Sequence, residues 1–95
     1  MNHVLTSSVW TELPDRPVVL VPLGSTEQHG PHLPFGTDTL IAERTASAVA
    51  EQLTLEGAGP VVIAPSLAYG ASGEHQDFPG TVSIGHEALQ MVLVE

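Results

Sequence analysis

Two short apolar runs, each followed by a polar segment rich in glycine and proline, dominate the hydrophobic pattern of this chain. The runs lie at residues 18–21 and 61–64 and end at Pro22 and Pro65. Their apolar residues are continuous rather than alternating, which is typical of strands that are covered on both faces in a parallel sheet. The pattern therefore predicts two buried parallel strands.

Helical periodicity follows each polar segment. The first helix is predicted to begin near Thr37 or Asp38, either of which is suited to cap it, and to end by Gly57. A second amphipathic helix is predicted from about Gly85. The predicted apolar face of the first helix comprises Leu40, Ile41, Ala48, Val49 and Leu53.

The predicted order is strand, loop, helix, strand, loop, helix, which is a βαβα pattern and indicates an α/β fold with a parallel pair. In open α/β sheets, ligands bind beyond the carboxyl ends of the strands. Both polar loops leave those ends, so we expect them to lie side by side at one edge. Two strands and two helices form a thin core, and we expect the chain to be marginally stable alone or to need more chain or a partner.

Composition narrows the function classes. The chain has 95 residues, enough for one small domain, and no cysteine. Its net charge is −9 with two basic residues, Arg16 and Arg44, which disfavours binding to nucleic acid. No apolar run is long enough to span a bilayer, and the N-terminus lacks the features of a signal peptide. A cytoplasmic protein that does not bind membranes is the expectation.

The first polar loop gathers candidate metal ligands. Glu27 and His29 are two residues apart and point the same way in an extended segment, and Asp38 at the helix start supplies a third ligand. One imidazole and two carboxylates suit zinc or manganese. The alternatives are that Asp38 only caps the helix and that His32, a candidate partner for a metal ligand, only hydrogen-bonds within its loop.

The second polar loop holds Ser72, Glu74 and His75. A serine–histidine nucleophile pair is disfavoured, because Ser72 lies in no nucleophile-elbow pattern and no third partner is evident. Contact with substrate, or with the side chains that bind metal, is favoured for Ser72 and His75. Glu74 and His75 are the candidates for a catalytic role.

Two long motifs in these loops resemble the signatures of the creatininase family, the creatinine amidohydrolase-like hydrolases. The first is GSTEQHGPHLP at residues 24–34, followed by GTDT at 36–39, and the second is YGxSxEHxxFPGT at 69–81. The resemblance covers about residues 15–95. It implies a three-layer α/β/α domain with a parallel sheet, of which residues 1–95 supply an N-terminal portion, roughly the first βαβα.

The resemblance also implies a metal-dependent amidohydrolase with two ions per site, zinc and/or manganese. Glu27 matches the ligand of one ion, His29 matches the ligand of the other, and Asp38 matches the bridging aspartate. In the implied reaction, metal-activated water attacks the carbonyl of a small amide or peptide and the C–N bond is hydrolysed. Family members commonly form homo-oligomers. The first motif and the acidic, cysteine-free composition are most similar to the branch that trims the mycofactocin precursor peptide.

The family is much longer than this chain. Its remaining metal ligands, a histidine and a glutamate, and the residues that shuttle protons match no segment of the 95 residues. We therefore expect the chain alone to be weakly active or inactive. Two alternatives stay open: a non-catalytic piece that folds by docking on a partner, and an unrelated α/β binding module without metal.

Overall fold

The computed structural model describes residues 3–95 and confirms the predicted βαβα order. Strands β1 and β2 and helices α1 and α2 follow one another along the chain, and 3-10 turns occupy Leu5–Ser7, Trp10–Glu12 and Gly73–His75. The four main elements are β1 at Val18–Leu20, α1 at Thr37–Leu55, β2 at Val61–Ile63 and α2 at Gly85–Val94.

The two strands form a parallel sheet in which Val19 pairs with Val62. The pairing continues past the end of β1, since Leu67 N–H donates to Pro22 O at 3.0 Å and Gly24 N–H donates to Leu67 O at 2.8 Å. This extension carries the two chain segments side by side into the polar loops, as the sequence predicts.

The core lies between β2 and α1. Val61 and Ile63 are buried, and they pack in one cluster with Ala46 and Ala50 of α1. The amino-terminal segment also pairs with β2, because Ile63 N–H donates to His3 O at 2.7 Å. β2 is therefore the central strand of the structure.

The prediction that both strands are buried holds for β2 and is wrong for β1. Val19 of β1 is 52% exposed, whereas Val62, its partner in the ladder, is 8% exposed. The difference arises because α1 packs on β2 and leaves β1 at the edge of the sheet.

The predicted apolar face of α1 is also wrong in part. Ala46 and Ala50 are the buried residues of the helix, and the larger Ile41 and Val49 remain exposed. Small side chains allow the helix backbone to approach β2 closely, which turns the larger residues away. The exposed predicted residues of this helix are Leu40, Ile41, Ala48 and Val49.

Neither predicted residue caps α1. Gly36 occupies the N-cap position and makes no side-chain bond, while the Thr37 hydroxyl donates to Pro34 O at 2.7 Å. Asp38 lies inside the first turn. Its carboxylate is therefore free of the capping role and points to the loops. Within residues 3–95, no helix combines the length and hydropathy needed to cross a bilayer.

Candidate metal centre

The two polar loops lie side by side, joined by hydrogen bonds between them. Val82 N–H donates to Thr26 O at 2.8 Å, and Gln28 N–H donates to the Thr81 hydroxyl at 3.0 Å. The Thr26 hydroxyl also donates to Ala68 O at 2.7 Å. Residues that are far apart along the chain thereby come together at the carboxyl edge of the sheet.

Glu27, His29 and Asp38 converge at this edge. Each offers one ligand atom, and these atoms all lie within 4.8 Å of one another. The His29 Nε2 atom is 3.0 Å from Asp38 Oδ2 and 3.9 Å from Glu27 Oε1. The loop after β1 supplies two of the side chains and the first turn of α1 supplies the third.

Asp38 is held as an anion by its neighbours. The Ser25 hydroxyl donates to its Oδ2 atom at 2.7 Å, and this bond is the main cause that lowers the pKa of Asp38. Partial burial opposes the shift, while Glu27 and His29 lower the pKa further. Metal ligands must be deprotonated, so this arrangement favours binding of a cation.

The donor set fits a divalent metal ion. Two carboxylate oxygens and one imidazole nitrogen are ligands that zinc and manganese accept. The three side chains are partly exposed, with 13% of Glu27, 21% of His29 and 37% of Asp38 accessible. An ion can therefore reach the donors from solvent.

A second group shares Glu27 and adds Glu74 and His75 from the second loop, with ligand atoms again within 4.8 Å of one another. The Gln28 side-chain nitrogen lies 2.9 Å from His75 Nδ1. Sequence reasoning missed both Gln28 and Ser25 as parts of the site. The one signal for them was their position within the first motif.

Ser72 and His32 contribute no ligand atom to these two groups among the described residues, although Ser72 O accepts a hydrogen bond from the His75 backbone N–H at 3.0 Å. Ser72 is 2% exposed, and its backbone N–H donates to the Ser83 hydroxyl at 3.0 Å. His32 is exposed and belongs to neither donor group among the described residues. Their predicted roles at the site stay predictions.

Fold and site together define an α/β protein with candidate metal ligands at the carboxyl edge of a parallel sheet. The family model described as creatininase, creatinine amidohydrolase, matches residues 5–95. The chain therefore belongs to the creatininase family, and the resemblance read from its two motifs is confirmed.

Relatives and a solved structure agree with this assignment. The chain is 62% identical over 79 residues to the mycofactocin precursor peptide peptidase of Mycolicibacterium smegmatis, covering 83% of this chain and 32% of that protein. It is 54% identical over 97 residues to the protein of the same name from Mycobacterium tuberculosis, covering 96% and 38%. A mutant creatininase of Zn–Zn type matches with a TM-score of 0.81 and 27% identity, covering 98% of this chain and 38% of that one. The chain thus spans about a third of the length of these proteins.

Proposed function

We propose that this chain supplies the metal-holding part of a hydrolase that cleaves C–N amide bonds, with Glu27, His29 and Asp38 as ligands. The observation that carries the proposal is the convergence of their three donor atoms within 4.8 Å. Family membership supports the reaction class, since creatinine amidohydrolase is the family's description.

The chain's own residues have distinct tasks in this proposal. Asp38, kept anionic by the Ser25 hydroxyl, offers two oxygens and is the residue suited to bridge two ions. Glu27 and His29, whose ligand atoms lie within 4.8 Å of that of Asp38, would each hold one ion with it. When bound, zinc or manganese supplies Lewis-acid polarisation of an amide carbonyl and acidifies water.

For the substrate, we propose a peptide, namely the mycofactocin precursor. The support is the name shared by relatives that are 54% and 62% identical to this chain. A cytoplasmic location and a homo-oligomeric full-length assembly remain part of the proposal.

The metal content of the purified chain after dialysis, measured by elemental mass spectrometry, tests the ligand set. We expect zinc or manganese in the wild-type chain and its loss in Asp38→Ala. Asp77→Ala is the matched control, since Asp77 is exposed in the second loop and belongs to neither donor group. Equal metal in both variants, or none in the wild type, contradicts the proposal that this chain holds an ion.

A second candidate function is that of a non-catalytic piece that docks on a partner. It is favoured by the exposed apolar side chains along β1 and α1, such as Val19 and Ile41. Under either candidate we expect little amidase activity from the 95 residues alone. Robust metal-dependent amidase activity of the isolated chain contradicts that expectation.

A further inference from the structure

We propose that Gln28 is a positioning residue that holds His75 in a single tautomer, with Nδ1 as acceptor and Nε2–H presented beside Glu27 and Glu74. In this state His75 donates a hydrogen bond to substrate and does not bind metal. The substrate-facing role rests on the proposed amide hydrolysis, whereas the tautomer follows from the hydrogen bonds alone.

The orientation of the Gln28 side-chain amide is set by Gly30. The Gly30 backbone N–H is a donor and lies 2.8 Å from the Oε1 atom of Gln28. Gly30 adopts a φ of 73°, a left-handed conformation that favours glycine, at the turn where the chain continues from this hydrogen bond. The oxygen end of the amide is therefore occupied, and its nitrogen end faces His75.

The tautomer of His75 follows from the amide orientation. The Gln28 side-chain nitrogen carries two donors and accepts no hydrogen bond. It lies 2.9 Å from His75 Nδ1, so Nδ1 accepts and the proton of the neutral imidazole resides on Nε2. The Gln28 backbone N–H also donates to the Thr81 hydroxyl at 3.0 Å, which holds the first loop against the second.

The hydrogen bond between Gln28 and His75 distinguishes the two groups of candidate metal ligands. For His75 to bind a metal through Nε2, its proton would have to move to Nδ1, where two donors would then face each other at 2.9 Å. His29 Nε2 also carries a proton, which it donates to the Asp38 carboxylate at 3.0 Å, but among the described residues no donor faces its Nδ1 atom, so that proton can move to Nδ1 when Nε2 binds a metal. The group with Asp38 is therefore the metal site, and the group with Glu74 flanks it.

The chemistry of a donor at this position suits an amide substrate. The His75 Nε2 atom is 3.8 Å from Glu74 Oε1, longer than a hydrogen bond, so its proton can be donated elsewhere. The carbonyl oxygen of a peptide substrate can accept this hydrogen bond. His75 is also only partly exposed, at 32%, so it is held at the rim of the site rather than free in solvent.

Long-range ¹H–¹⁵N NMR of the imidazole nitrogens tests the tautomer without metal or activity. At about pH 8, where an ordinary imidazole is neutral, we expect a bare Nδ1 and a protonated Nε2 for His75. Gln28→Glu preserves shape but replaces the donor by an acceptor, so the proton should shift to Nδ1. Gln76→Glu, the same change at an exposed neighbour, should leave His75 as in the wild type.

Two outcomes overturn the inference. One is a wild-type His75 with the same tautomer mixture as the exposed His32, or with its proton on Nδ1. The other is added Zn²⁺ that binds at His75 and moves its Nε2 resonance to that of a metal-bound nitrogen. The two proposals can fail independently. If Asp38 is not a metal ligand, the wild type and Asp38→Ala will contain equal amounts of metal, while the metal-free NMR spectrum of His75 will still show the expected tautomer.

Discussion

At the residue scale, the state of Asp38 depends on a serine that lies 13 positions earlier in the chain. The Ser25 hydroxyl donates to the Asp38 carboxylate at 2.7 Å, and Thr39 in turn donates to Ser25 O at 3.2 Å. The bond favours the charged carboxylate and so lowers its pKa. Ser25 thereby keeps the carboxylate in the charged form that binds a cation and orients it toward the loops.

Ser25→Ala is expected to raise the pKa of Asp38 toward the ordinary aspartate value of about 3.9. Because the folded-state pKa is lowered, the stability that this carboxylate contributes is complete above about pH 4 and is lost as the pH falls through the lower folded value. Carbon-detected NMR titration of the Asp38 carboxyl measures the midpoint in wild type and variant.

Ser66→Ala is the control for that titration. The Ser66 hydroxyl makes a bond of the same kind and length, 2.7 Å to the Glu43 carboxylate, on an exposed surface. Its removal should leave the Asp38 midpoint where it is. An unchanged midpoint in Ser25→Ala would show that the serine does not set the charge of Asp38.

At the element scale, the start of α1 approaches the loop after β1 so closely that only glycine fits at position 24. A Cβ atom there would lie 2.5 Å from the Thr39 Cα atom and would also overlap the Thr39 hydroxyl. Backbone atoms cannot move away from such a contact at low energetic cost, so a side chain at position 24 would force the loop or the helix to shift. This close approach is what places Asp38 beside Glu27 and His29.

Gly24→Ala is therefore expected to weaken zinc binding. Loss of the support behind metal ligands typically costs about 10–100-fold in affinity, and we expect a reduction in that range by competition with a chromophoric chelator. Gly73→Ala is the matched control, because a Cβ at Gly73 meets no atom within 4 Å. Equal affinities of the two variants would contradict this account of the helix position.

At the scale of the whole molecule, the described chain is more extended than a packed domain. Its radius of gyration is 15.4 Å, compared with about 12 Å for a compact domain of this length. A groove of about 580 Å³ runs between β1 and α1, and apolar residues such as Leu20, Ile41 and Val49 line it. The chain leaves apolar surface uncovered that further structure or a partner would bury.

We expect the isolated chain to bind the dye ANS and to unfold over a broad temperature range. Ile41→Thr should reduce the dye fluorescence because Ile41 lines the groove, whereas Leu55→Thr, exposed on the same helix but outside the groove, should not. Fluorescence and circular-dichroism melting measure the two effects. A monomer with a sharp, cooperative transition would argue against the docking candidate.

The sequence by itself determined the order of elements and the location of the chemistry. Continuous β-branched runs and helical spacing are local signals, so both strands and the start of α1 at Thr37 were predictable within a residue or so. The parallel order then required both loops to meet at one edge, and Glu27, His29 and Asp38 could be named as ligand candidates from residue type and spacing.

Only the tertiary structure decided the remaining features. The burial of Ala46 and Ala50 in place of larger residues depends on how α1 is rotated against β2, and the exposure of β1 depends on where α1 lies. The contact between Gln28 and His75 joins residues 47 positions apart. Such contacts are set by strand register and loop packing, for which no local pattern in the chain carries a signal.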